Sequence, residues 1–161
     1  MAPDAEPISL QATFWIASCT KLLGTIATLQ CVERGQVALD EPVGRILPEL
    51  AELEILHFRD DSDGPQLTTT KTTSQITLRQ LLCHTSGVAY DMFPASLIAW
   101  RASRQESIKC MEGSIADAHT LPLLFEPGEG WGYGGGIDVG DQIAAQQSAL
   151  CSSFKYSTDS V

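Results

Sequence analysis

The sequence predicts an α+β fold, rich in helix and poor in sheet. Three observations carry that expectation. Apolar residues recur at Leu22, Leu23, Ile26, Ala27 and Leu29 with a period near 3.6, which predicts a helix from Ser18 to about Arg34. Thr77-Leu78-Arg79-Gln80 places a threonine three residues before a glutamine, the signature of a capping box and so of a second helix start. The stretch from Leu67 to Ile76 is threonine-rich and suits pairing as an edge hairpin. The chain has 161 residues, 43% of them hydrophobic and 19% charged, which is globular composition and one domain's worth of sequence. A TIM barrel, which needs about 200 residues or more, does not fit.

Each element follows from local chemistry. The first thirteen residues read as an extended arm, and Phe14-Trp15-Ile16-Ala17 is a short apolar run. Ser18 suits a helix N-cap and Gly35 the stop after it. Asp40-Glu41-Pro42 predicts a second, short helix that Pro48 limits. Arg59 to Pro65 is polar and reads as a loop or turn. The helix capped by Thr77 carries Leu78, Leu81 and Leu82 and ends between His84 and Gly87. Ser96 to Met111 and Ser114 to Thr120 are expected to be helical. Glu126 to Gly140 is glycine-dense and must begin as a loop, and Asp138 to Leu150 is expected to form the last helix. No internal repeat is present.

Charge and cysteine usage narrow the function. Ten Lys and Arg against twenty Asp and Glu give a net charge of -10, a field that repels nucleic acid and disfavours an anionic membrane surface. No apolar run is long enough for a transmembrane helix. The five cysteines, Cys19, Cys31, Cys83, Cys110 and Cys151, contain no C-x-x-C, so neither a zinc site nor any other metal is expected. Cys19 and Cys31 lie too far apart on one helix to bridge, and reduced thiols fit a cytoplasmic protein. The acidic, proline-containing start Met1 to Pro7 does not read as a signal peptide.

Three segments could carry chemistry. Ser18-Cys19-Thr20-Lys21 is a Ser-x-x-Lys, which on a helix puts both side chains on one face. A serine at a helix start meets the positive end of the dipole, and a lysine one turn on can accept or relay its proton if burial lowers the lysine pKa. The bland alternative is a cap and a solvated lysine. Ser152-Ser153-Phe154-Lys155 matches the same pattern in a polar tail. Leu78 to Val88 contains His84, which is either a base or a histidine tying the helix end to the next loop. Phe125 to Asp138 is a glycine-rich loop with Trp131 and Tyr133. A tyrosine there, near a buried cation, could act as a phenolate base; otherwise the two aromatics simply pack on the core. Gly130-x-Gly132-x-x-Gly135 also fits a dinucleotide fingerprint, but no clear strand precedes it, and no cofactor is expected.

Taken together and in this order, the three segments resemble the serine β-lactamase-like family of penicillin-binding proteins, class C β-lactamases, related esterases and fungal lovastatin-type acyltransferases. Phe14 to Lys21 looks like that family's nucleophile motif, Leu78 to Gly87 like its Leu-Leu-x-His-Thr-Ser-Gly segment, and Phe125 to Asp138 like the segment with its tyrosine. The resemblance covers about residues 10–140. It implies the helical part of a serine β-lactamase-like fold with an incomplete antiparallel sheet. It also divides the chain into an arm (1–13), a partial β-lactamase-related domain (14–140) and a divergent tail (141–161).

By the same resemblance Ser18 would be the acyl-forming nucleophile. Lys21 would hold the proton network, and Tyr133 would be the general base toward the serine and later toward alcohol or water. The backbone N–H of Ser18 would be one oxyanion donor. The asparagine that follows the tyrosine by two in β-lactamases is Gly135 here, which points to an esterase or transesterase acting on a small-molecule ester or acyl-thioester. The family's C-terminal Lys-Thr-Gly or His-x-Gly strand, which supplies the second oxyanion donor, does not occur in this sequence, and its N-terminal strands are not evident either. An inactive, truncated member is therefore the alternative, and a purely structural helical module would leave Lys21 and Tyr133 far from Ser18. Oligomeric state is left open.

Overall fold

The computed structural model describes residues 8–62, 64–110 and 118–158, with side chains to residue 149 apart from Asp61. A 3-10 turn at Ala17–Cys19 leads into helix α1, Thr20–Glu33. Gly35, at φ +69°, takes the left-handed conformation that ends a helix. Short 3-10 turns follow at Val43–Arg45 and Pro48–Leu50. Strands β1, Glu54–Asp61, and β2, Gly64–Lys71, pair antiparallel from Glu54 opposite Lys71 to Asp61 opposite Gly64. Helices α2, Leu78–Leu82, α3, Ala95–Ser103, and α4, Gly136–Thr158, complete the order. The fold is α+β with a small, partial antiparallel sheet, as the sequence predicts.

Several boundaries differ from expectation, each for a physical reason. Arg59 to Pro65 is mostly strand and not a loop: β1 runs to Asp61 and β2 starts at Gly64, at φ +103°, because an exposed ribbon tolerates polar residues. Helix α3 stops at Ser103 rather than Met111. The chain turns there, with Gln105 at φ +57°, and the Lys109 and Cys110 backbone N–H groups bond the carboxylate of buried Asp91. The helix expected over Ser114 to Thr120 lies largely outside the described residues. Helix α4 begins two residues before Asp138 and runs through residue 140 without a break. The Thr77 capping box is complete, with Gln80 N–H bonding the threonine side chain and Thr77 N–H bonding the Gln80 side chain.

The main core gathers Val43, Leu47, Leu78, Leu81, Leu123, Val139 and Ile143, which are far apart in sequence. A fully buried leucine of this kind contributes about 1.5–3 kcal/mol by leaving water. A smaller cluster of Leu56, Ala89, Leu97 and Leu121 sits under the hairpin. Asp91, fully buried, ion-pairs with Arg101 at 2.9 Å and anchors α3 to the segment after α2.

Helix α1 buries a face different from the one its periodicity suggested. Only Thr28 and Cys31 are buried, while Leu22, Leu23, Ile26 and Leu29 are exposed. The helix is apolar on most sides, the pattern of a helix covered all round, and among the described residues α4 covers one side. There Thr28 Oγ1 donates to the Gly140 carbonyl at 3.2 Å, and the small residue at Gly24 lets the Asp141 carboxylate lie against the α1 backbone.

Candidate active site

The site forms where α1, the segment after α2 and the glycine-rich loop meet. Ser18 sits in the 3-10 turn ahead of α1 and directly follows Ala17, whose φ of +44° is a strained conformation for a residue with a side chain. Ser18 does not cap α1, whose N-cap is Cys19 with no side-chain bond. The serine hydroxyl has another partner: it accepts a hydrogen bond of 2.8 Å from the Tyr133 hydroxyl.

The tyrosine loop is pinned to the end of α2. Gly132 N–H donates to the His84 carbonyl at 2.9 Å, Gly134 N–H reaches His84 Nδ1 at 3.4 Å, and Gly128 N–H donates to Thr85 at 2.8 Å. The His84 ring packs on Tyr133 at 4.8 Å and edge-on to Trp131 at 6.2 Å. His84 therefore takes the tying role rather than the role of a base. Gly134 has to be a glycine, since a Cβ there would lie 2.4 Å from the Cα of Ala89.

Lys21, the second residue of α1 and three residues past Ser18, points into a second constellation. Its ammonium donates to the Tyr90 hydroxyl at 2.6 Å and to Asp138 Oδ1 at 3.1 Å, and Tyr90 donates to Asp138 Oδ2 at 2.6 Å. The ammonium also lies 5.6 Å from the centre of the Tyr133 ring and 5.2 Å from that of Tyr90. Burial pulls the Lys21 pKa down, but the bonds to Tyr90 and Asp138 outweigh it and hold the pKa above the ordinary lysine value. The lysine is thus a fixed cation at neutral pH, and not the proton acceptor that a burial-lowered pKa would have made it. Tyr90 is pushed up to about 12, first by burial and then by its bond to Asp138. It therefore stays protonated. Asp138 occupies the first turn of α4, where the helix dipole favours a carboxylate.

The three residues predicted from sequence thus converge on one place, Ser18 bonded to Tyr133 and Lys21 beside the Tyr133 ring. The second Ser-x-x-Lys, at 152–155, falls on side chains outside those described. Among the described residues no group of three or more His, Cys, Asp or Glu is placed to hold a metal ion, and no helix is long and apolar enough to cross a membrane. Cys19, Cys31, Cys83 and Cys110 are free.

The Beta-lactamase family model matches residues 2–139. The chain belongs to the beta-lactamase family. Similar members include an acyltransferase, calJ, of Penicillium decumbens, 35% identical over 160 residues that make up 99% of this chain and 37% of the relative. A lovastatin esterase of Penicillium rubens is 37% identical over 143 residues, 89% of this chain and 35% of that protein. Among solved structures, unliganded simvastatin synthase (LovD) from Aspergillus terreus superposes with a TM-score of 0.74 at 35% identity, over 89% of this chain and 36% of that one. The chain spans about a third of the length of the relatives it matches.

The sequence does not single out Tyr90 or His119, which lie beside Lys21 and Asp138 in the fold, and it shows Asp138 without a partner. Asp138 carried a signal, as an acidic residue in the first turn of an expected helix and in the same motif as Tyr133. Tyr90 stands three residues past Gly87 in irregular backbone, where no periodicity marks it. His119 follows residues 111–117, outside the described set, and nothing in its local sequence points to the site.

Proposed function

We propose that this chain carries the nucleophile and base of a serine hydrolase or acyltransferase that acts on small-molecule esters or acyl-thioesters. The observation supporting this is the 2.8 Å hydrogen bond between the Tyr133 and Ser18 hydroxyls beside the Lys21 ammonium. Ser18 Oγ attacks the acyl carbonyl while its proton passes to the Tyr133 oxygen. The tetrahedral intermediate collapses, the leaving alcohol or thiol takes that proton, and an acyl ester on Ser18 remains. In the second half Tyr133 takes the proton of an incoming alcohol or water, which attacks the acyl group and frees Ser18 when the proton returns.

Tyr133 donates to Ser18 in the resting arrangement, so before it can accept the serine's proton it must release its own to solvent, which its 41%-exposed side chain reaches. Asp138 and Tyr90 hold the Lys21 ammonium beside the Tyr133 ring. The Ser18 backbone N–H supplies one oxyanion donor. Gly135, where β-lactamases carry an asparagine, supports ester rather than β-lactam substrates. The related lovastatin esterase and the Penicillium decumbens acyltransferase carry names for the same two outcomes, hydrolysis and acyl transfer.

A second reading is an inactive part of a longer enzyme, favoured by the share of the relatives that the chain spans, 37% and 35%. Loss of one oxyanion donor costs about a hundredfold or more in rate. A fluorophosphonate probe separates the two readings. The first expects labelling of Ser18, abolished by Ser18→Ala, and p-nitrophenyl acetate turnover above that variant. Equal labelling of both proteins overturns it.

A further inference from the structure

His119 is nearly as buried as any group in the molecule, at 4% exposure, and the catalytic scheme does not use it. Its position depends on a missing side chain. A Cβ at residue 135 would lie 2.0 Å from the ring's Cε1 and 2.3 Å from Nδ1, so the imidazole occupies the space that any other residue at 135 would fill. The ring is tilted against Tyr90 with centroids 5.8 Å apart. Its Nε2 lies 3.7 Å from Asp138 Oδ2, the same oxygen that accepts the Tyr90 hydroxyl. Its Nδ1 has no hydrogen-bond partner among the described residues.

We propose that His119 is a positioning residue that acts through Asp138. Neutral, it leaves the carboxylate to Tyr90 and Lys21, and protonated, it competes for that carboxylate and loosens the lysine.

At 3.7 Å a neutral ring makes no hydrogen bond to Asp138, so both carboxylate oxygens serve the lysine network. A proton on the ring places a second cation against an oxygen that already holds Tyr90. One carboxylate then faces Lys21, Tyr90 and His119 together, and the two cations repel. Among the described residues, the charged and titratable groups that face His119 are Asp138 from α4, Lys21 from α1, and Tyr90 and Asp91 from the segment after α2. Glu49 and Gln142 share with it a cavity of about 10 Å³, close to the least volume that admits one water. Burial holds the His119 pKa below the ordinary 6.5, against the pull of Asp138 and Asp91 and with the help of Lys21. The switch therefore lies on the acid side of neutrality. Its effect on turnover rests on Ser18 being the nucleophile, whereas its effect on Asp138 does not.

The test is an NMR titration of the three histidines, with His119 assigned by His119→Gln, in the native chain and in Asp138→Asn. We expect a His119 midpoint below 6.5 that falls by about half a unit or more when the Asp138 charge is removed. A midpoint that stays put or rises overturns the proposal. In parallel, the fluorophosphonate labelling rate of Ser18 is followed against pH. The native chain should lose rate on acidification with the NMR midpoint, and His119→Gln should lose that limb. A limb that survives in His119→Gln overturns the switching role. Absence of labelling at every pH, with the midpoint still moved by Asp138→Asn, overturns the nucleophile assignment and upholds the His119–Asp138 coupling.

Discussion

The Tyr133 hydroxyl reaches Ser18 Oγ at 2.8 Å across 115 residues of sequence. Nothing local to either residue creates that contact. It exists because His84 clamps the glycine-rich loop through its carbonyl and its ring nitrogen, and because the turn at Ala17 presents the serine on that side of α1. Removing the hydroxyl alone should isolate its role. Tyr133→Phe keeps the ring packing on His84 and leaves Ser18 without a proton acceptor, so the rate of Ser18 labelling by a fluorophosphonate should fall by about 10²- to 10⁴-fold. The urea midpoint should barely move, since the tyrosine is 41% exposed. An unchanged labelling rate would show that another group takes the serine proton.

Asp141, one turn past Asp138 on α4, predicts a pH-dependent stability. Its carboxylate lies where a Cβ on Gly24 would be, 2.1 Å from that position, and one oxygen is buried without a hydrogen-bond partner among the described residues. Burial first, and then the neighbouring Asp138, push its pKa up to about 6 from 3.8. A folded-state pKa above the unfolded value means that the folded chain binds the extra proton. The associated stability is therefore present below pH 3.8 and is lost as pH rises through about 6. Asp141→Asn keeps the shape without the charge. It should match the native chain in thermal midpoint at pH 4 and exceed it at pH 8. The same difference at both values would mean that the carboxyl group's titration is not what separates them.

How much of this was legible beforehand follows from what each signal encodes. The Thr77 capping box is local, four residues deciding their own backbone, and it forms as read. The glycine-rich segment gave a loop for the same reason, and Ser18, Lys21 and Tyr133 came from motifs in a recognisable order. The pairing of Lys21 with Tyr90 and Asp138 did not, because they are 69 and 117 residues away and only tertiary packing joins them. The buried face of α1 is not legible in its sequence, because a helix apolar on most sides gives no single stripe to choose. The hairpin turn was overestimated because polarity marks exposure, and an exposed strand is as polar as a loop.

Close backbone approach at Gly134 predicts a steric cost. A Cβ there would meet the Cα of Ala89 at 2.4 Å and the Val88 carbonyl at 2.8 Å, and backbone atoms cannot rotate away as a flexible side chain can. Gly134→Ala should lower stability by about 1–3 kcal/mol, read from urea unfolding. It should also slow Ser18 labelling, since Tyr133 is the adjacent residue and would shift with the loop. A variant as stable as the native chain would show that the loop can move aside at residue 134.

The uncovered side of α1 makes a paired prediction. Leu81 is fully buried in the main core, whereas Leu22 is 66% exposed on a helix of the same molecule. Truncating a buried leucine removes its transfer energy and leaves a cavity, so Leu81→Ala should cost about 2–5 kcal/mol. Leu22→Ala removes little packing and places the better helix former on an exposed face, so its effect should stay within about 0.5 kcal/mol. Urea midpoints of the two variants measure the contrast directly. A cost at Leu22 comparable to that at Leu81 would mean that this face of α1 is covered in solution, and the exposed row Leu22, Ile26 and Leu29 would then be the surface to map by the same substitutions.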